Sequence, residues 1–246
     1  MRLTSEEPST WKELQDLVCK YLNEAGYEAV SPKTIETVRG EVEVDVYATA
    51  KHELIRSFIC ECKHWKSAVP KEKVHAFRTV VQDSGATLGI LISKGGFQSG
   101  AVEAARCSNV LLKDWDGFLA MIADQWLFQR LLRLKQTCGP LAFYTSPFDP
   151  PLEKLTASAR ERYLNLLPES TDIYIHGRLI TKAILNKEQY LINDIFFSAC
   201  NDLFEYLEKQ SIDAINKFQS LFDECGVEID DFAFLGYIPA ELTDDN

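Results

Sequence analysis

No apolar run in this sequence approaches the roughly 18 residues a helix needs to cross a bilayer, so no membrane span is expected. The opening stretch, MRLTSEEPSTW, lacks the apolar segment of a secretory signal, which points to a cytoplasmic location. Seven cysteines (Cys19, Cys60, Cys62, Cys107, Cys138, Cys200, Cys225) are scattered and odd in number, with no CxxC pair. That pattern argues for reduced thiols and against both a disulfide framework and a zinc cluster. The glycine-rich stretch Lys94–Gly100 has neither the GxGxxG nor the GxxxxGK[ST] spacing of nucleotide-cradling loops. There is no internal repeat and no low-complexity tract. Net positive charge is missing too: the chain carries −11.

That acidity is unevenly placed. Residues 1–113 hold fifteen basic and fifteen acidic side chains, whereas residues 114–246 hold eleven and twenty-two. The whole excess therefore lies in the second half. Within the first half, Lys63, Lys66, Lys71, Lys73 and Arg78 face a single acid, Glu72. A local basic patch of this kind can serve a polyanion whatever the total charge.

At 246 residues with 46% hydrophobic content, the chain can bury a core without staples and form one large or two small domains. Ser9–Ala25 reads as a helix: Thr10 and Glu13 fit a capping box, Leu14, Leu17, Val18, Tyr21 and Leu22 form one stripe, and Gly26 stops it. Tyr27–Val30 and Thr34–Val38 read as extended. Glu41–Ala48 and Leu54–His64 read as an antiparallel hairpin around a turn at Ala50–Glu53. Pro70 opens a helix ended by Gly85, and TLGILIS (Thr87–Ser93) has the continuous apolar character of a strand buried on both faces. A helix over Ser99–Arg106 and a strand over Val110–Leu112 follow. The order αβββαβαβ implies an α/β sandwich over residues 1–116. A mainly helical, acidic region is expected over residues 117–246, with a linker at 139–151. In it Phe118–Leu134, Leu152–Leu167, Lys187–Lys209 and Ser211–Cys225 read as helices and Ile173–Ile180 as a short strand.

The chemistry concentrates in Gly40–Lys66. Asp45 lies on one strand of the expected hairpin with Glu43 two residues before it, and Glu61 and Lys63 lie on the other. Residues two apart share a strand face. Two carboxylates and a lysine between paired strands suit a hard divalent cation, Mg²⁺ or Mn²⁺, held by Asp45, Glu61 and the backbone carbonyl of Cys62. The simpler reading is a structural ion cluster on a solvated face. Cys60, Cys62 and His64 share the opposite face and read as core thiols with an edge histidine, or else as a soft-metal set short of a fourth ligand. Lys66, Lys71, Lys73, Arg78, Lys94 and Gln98 are candidate phosphate contacts, the last two on a loop whose backbone N–H groups precede a helix.

The segments WKELQDLVCKYLNEAGY, EVDVYA, ECKHW, VHAFRTVVQDSGA, LGILIS and GFQSGAVEAA resemble the catalytic domain of Mrr-type restriction endonucleases, within the PD-(D/E)XK nuclease superfamily. The resemblance covers about residues 9–113. It implies a restriction-endonuclease-like core with Asp45, Glu61 and Lys63 in the catalytic positions. Many relatives have QxK where this chain has Glu61-Cys62-Lys63, and many place a glutamate on the first helix where this chain has Gln15; Glu13 is a near substitute by position. Gln15, Glu13 and Glu43 are secondary candidates, Glu13 also reading as a cap and Glu43 as a solvated strand residue. The implied activity is Mg²⁺-dependent hydrolysis of DNA phosphodiester bonds leaving a 5′-phosphate, in restriction or defence against foreign, including modified, DNA. The alternatives are a junction-resolving or repair nuclease, or a non-catalytic DNA-binding module on the same fold. A homodimer is expected because a duplex needs two cuts, and the acidic half is expected to bind a protein partner.

Overall fold

The computed structural model describes residues 1–50 and 56–229. Two compact units emerge, one formed by Glu6–Gln129 and the other by Met1–Ser5 with the chain from Arg130 onward. The division falls inside a helix, downstream of the boundary expected at residue 116.

The Glu6–Gln129 unit begins with α1 (Trp11–Glu24). Its start is doubly capped: the Thr10 side chain accepts the Glu13 N–H at 3.1 Å, and the Glu13 carboxylate accepts the Ser9 N–H at 2.8 Å. The expected stripe of Leu14, Leu17, Val18, Tyr21 and Leu22 is buried, and Gln15 is buried beside it. Gly26 takes the left-handed φ of +86° that ends the helix.

Five strands form the central sheet in the order β1 (Glu28–Val30), β4 (Val46–Thr49), β5 (Ser57–Lys63), β6 (Leu88–Ser93), β7 (Val110–Lys113). The first three are antiparallel neighbours and the last three parallel. The parallel steps are bridged by α2 (Lys71–Asp83) and α3 (Ser99–Ala105). Val74, Phe77 and Val81 of α2 pack with Ile59 and Leu91 on one sheet face. Gly89 of β6 makes that approach feasible, since a Cβ there would lie 2.5 Å from Val81 Cγ2 and 2.8 Å from Phe77. Leu22 of α1 lies near Phe58 and Ile90 on the other face, together with Met121 and Ile122 of α4 (Trp115–Cys138). The result is the expected α/β sandwich.

In this unit the expected hairpin needs correction. Glu41–Ala48 is not a single strand. β3 (Gly40–Val44) pairs with β2 (Lys33–Thr37) in a separate two-stranded ribbon, and β4 begins at Val46. Asp45 is the one residue between them. The sequence alternates through it without interruption, but the pairing partner changes: Val44 lies opposite Lys33, whereas Val46 lies opposite Cys60. The partner strand starts at Ser57, and the turn expected at Ala50–Glu53 lies largely outside the described residues, as do Leu54 and Ile55.

The second unit is mainly helical. It holds the end of α4, α5 (Leu141–Thr145), α6 (Ala157–Leu179), the hairpin β8 (Tyr190–Ile192) and β9 (Ile195–Phe197), and α7 (Cys200–Glu224). Tyr144 stacks on Phe218 with ring centroids 5.1 Å apart, and Tyr163 and Phe222 complete this core. The stretch expected as a linker contains α5, whose Leu141, Ala142, Phe143 and Tyr144 are buried. Ile173–Ile180 is not a strand: α6 runs on through Pro168 because Tyr163, Ser170, Ile173 and Gly177 keep one face buried. Lys187–Lys209 is not one helix either, since Asn193 and Asp194 take left-handed φ values of 47° and 62° and turn the chain into a hairpin. Beyond it, α7 is continuous through Ser211.

Candidate active site

The site is built around the break between β3 and β4. An antiparallel ladder that pairs Val46 with Cys60 would next bond Cys62 to Val44. Val44 has left for the ribbon, so the backbone of Cys62 finds other partners. Its N–H donates to Asp45 Oδ2 at 2.7 Å, and its carbonyl accepts the indole N–H of Trp11 at 3.0 Å. Gln15 holds the other end of this unit, donating its side-chain amide to the Asp45 carbonyl at 2.9 Å and to Asp45 Oδ1 at 3.5 Å. Lys12 Nζ in turn donates to Gln15 Oε1 at 3.3 Å.

Glu61 and Lys63 leave the same side of β5 and form an ion pair. The Lys63 ammonium also lies 5.6 Å from the ring centroid of Trp65. With Glu43 of β3 and Lys73 of α2 they line a groove of about 240 Å³ whose floor includes Phe77 and Leu91. Burial pushes the Asp45 carboxyl above the usual range, and the Glu61 and Glu43 carboxylates push it the same way; the Cys62 N–H and the Lys63 ammonium oppose them. Asp45, Glu61, Lys63 and Glu43 thus share one electrostatic environment.

Glu13 is spent on the cap of α1. Arg78 is partly buried and donates to the Ala104 carbonyl at 2.9 Å, tying α2 to α3. Lys66, Lys71 and Lys73 are exposed; Lys73 lines the groove and Lys71 runs alongside Gly100. Lys94 and Gln98 are exposed on the loop after β6. That loop is bonded to the one after β5 by Val69 N–H to Gly96 O at 2.9 Å and Gln98 N–H to Val69 O at 3.0 Å. Gly95 has no room for a Cβ, which would fall 2.5 Å from the Ser67 carbonyl and 2.7 Å from that of Trp65. Lys94 Nζ sits 3.2 Å from His64 Nε2, which is 3.1 Å from the Pro8 carbonyl.

Trp11 and Trp65 went unmarked in the sequence reading. Two signals were available: Trp11 is four residues before Gln15 on the same helix face, and Trp65 is two residues beyond Lys63. A larger cavity of about 590 Å³, lined by Leu22, Phe58, Ile90 and Ile122 among others, is apolar and lies away from the carboxylates.

The donor set fits a hard cation. Asp45, Glu61 and the Cys62 carbonyl present oxygen, the ligand type Mg²⁺ and Mn²⁺ take. Cys60 and Cys62 do not make a soft site: both are fully buried, and burial drives both thiols far above their ordinary range, so they stay protonated. Among the described residues no group of three or more His, Cys, Asp and Glu side chains is arranged to hold a metal ion. Any ion here rests on two carboxylates and backbone oxygen.

A mixed sheet flanked by helices, with an acid at a strand switch and an acid–lysine pair on the adjoining strand, defines a restriction-endonuclease-like fold. Residues 7–122 match the restriction endonuclease family model Mrr_cat. That segment of the chain is similar to the restriction endonuclease family. No curated protein shows significant similarity to the chain. A solved crystal structure, that of the protein of unknown function AF1548, aligns at 16% identity over 88% of this chain and 99% of its own, with a TM-score of 0.39. Among the described residues no helix is long and apolar enough to cross a membrane.

Proposed function

We propose that this protein is a divalent-metal-dependent endodeoxyribonuclease that hydrolyses DNA phosphodiester bonds, and that it serves restriction of foreign, including modified, DNA. The observation that carries the reading is the Glu61–Lys63 pair acting electrostatically on Asp45 at the β3–β4 break, within a segment that matches a restriction endonuclease family model. Asp45, Glu61 and the Cys62 carbonyl would hold Mg²⁺ or Mn²⁺, which when bound supplies Lewis acidity toward the phosphodiester. Lys63 offsets the negative charge that develops on the phosphate as water attacks. Its ammonium is kept at the groove by Glu61 and by the face of Trp65. Lys66, Lys71 and Lys73 supply sequence-independent phosphate contacts. We assign no phosphate contact to Arg78, whose guanidinium is committed to α3.

The test is plasmid cutting with Mg²⁺ and with EDTA, using the wild type, Asp45→Ala and Lys63→Ala on methylated and unmethylated DNA. Cutting that needs metal and is lost in both variants supports the reading. Cutting that survives both substitutions overturns the assignment of the site. Four-way junctions and linear duplex run alongside separate a restriction enzyme from a junction-resolving one.

A further inference from the structure

We propose that Trp11 is a positioning residue for the divalent cation, its indole N–H fixing the peptide plane of Cys62 so that the carbonyl oxygen presents a free lone pair to the ion; the proposal rests on the nuclease reading above. Because Val44 pairs with Lys33, the side of Cys62 that would have bonded to it is free. The Asp45 carboxylate takes the N–H at 2.7 Å and Trp11 takes the carbonyl at 3.0 Å. A carbonyl oxygen can accept two hydrogen bonds, so the indole leaves capacity on that oxygen for a cation.

Trp11 and Gln15 stand one helical turn apart on the same face of α1 and act on the two facing segments of the site. Gln15 fixes Asp45 through its carbonyl and Oδ1, and Trp11 fixes Cys62. Two of the site's three oxygen donors, Asp45 and the Cys62 carbonyl, are thereby oriented by one helix, whose start is locked by the Thr10–Glu13 cap. Burial does not explain the choice of tryptophan here, since the residue is 49% exposed. What a tryptophan brings that a phenylalanine does not is the ring N–H. Outer groups that orient metal ligands typically change metal affinity by about 10- to 100-fold when removed.

The experiment is calorimetric titration of Mn²⁺ into the full chain, as wild type, Trp11→Phe, Trp11→His and Asp45→Asn, with the thermal midpoint of each metal-free protein recorded. Trp11→Phe is expected to weaken Mn²⁺ binding by about tenfold or more with its midpoint close to that of the wild type. Trp11→His, which keeps a ring N–H, is expected to recover part of that loss. A Trp11→Phe protein that binds Mn²⁺ as the wild type does, while Asp45→Asn does not, overturns the role of Trp11 and leaves the metal site standing. An equal loss in the Phe and His variants also overturns it, because ring volume is then the cause. Wild type and Asp45→Asn binding alike would remove the ion from this site and both readings with it.

Discussion

The carboxylate of Asp45 accepts the backbone N–H of Cys62 at 2.7 Å, replacing with a side chain the ladder bond that the departing strand β3 gives up. Asp45 is therefore both a structural stitch and the acid of the candidate site. The two roles separate in Asp45→Asn, whose amide oxygen still accepts from Cys62. That variant is expected to fold, with a thermal midpoint near that of the wild type, yet to lose about 10²-fold or more in DNA cutting, the scale of removing one preorganised electrostatic group. A plasmid-relaxation time course beside a melting curve checks both halves.

Gly89 lets α2 lie against the sheet. Gly89→Ala would set a methyl 2.5 Å from Val81 Cγ2 and is expected to destabilise the protein by about 1–3 kcal/mol, the usual range for overpacking. Phe77 is also close, so Val81→Ala in the same chain should relieve part of the loss, not all of it. Denaturant midpoints of the two single variants and the double variant decide this. Strict additivity would mean the two side chains do not meet.

Glu6 ties the N-terminal segment to α1 and α4. Its carboxylate accepts from the Tyr21 hydroxyl and from Lys20 Nζ, the latter at 2.9 Å, and its backbone carbonyl accepts the Trp115 indole N–H at 3.1 Å. Burial works against the charged carboxylate, but the Tyr21 and Lys20 contacts outweigh it and hold the carboxyl below the usual range. A group lowered on folding contributes stability that is fully present above its unfolded pKa and lost as pH falls through its folded one. Wild type should therefore lose stability more steeply than Glu6→Gln as pH drops below the ordinary glutamate range. Parallel denaturant curves across that range would count against the linkage.

In the second unit Glu208 Oε1 lies 3.2 Å from Arg130 Nη1 and 3.6 Å from Arg133 Nε, with Arg130 almost wholly buried. Removing one partner of such a pair strands the other charge. Glu208→Ala is expected to cost about 3–5 kcal/mol. Exchanging the pair together, Arg130→Met with Glu208→Leu, should cost far less. Chemical denaturation of the three chains measures the difference.

Much of this molecule is written in local pattern. The α1 stripe, its cap, the buried β6 run and the Glu61–Lys63 spacing are each readable because a periodicity of 3.6 or 2 needs no distant information. The break at Asp45 is different. GEVEVDVYA alternates without a fault, and only the long-range choice of Val44 for Lys33 over Cys62 splits it. The β8–β9 hairpin was missed for a related reason: its apolar residues also fit a helix, and the Asn193-Asp194 pair was the turn signal to weigh. The exact division between units inside α4 leaves no mark in local pattern, because the helix runs unbroken across it.

The strand switch also leaves the outer part of the β2–β3 ribbon free of the sheet's register. β4 is pinned on both sides, by β1 and by β5, whereas β3 is laddered only to β2. Residues added or deleted in pairs about the Val38-Arg39-Gly40 bend would change the ribbon's reach while keeping its alternation of faces. They would forfeit the tip's tie to α2, where the Val38 N–H donates to the Asp83 carbonyl at 3.1 Å and Arg39 pairs with the Asp83 carboxylate at 2.9 Å. Asp45, anchored from the β4 and β5 side, would stay where it is. The length of the ribbon beyond the groove is thus a variable separate from the anchorage of Asp45.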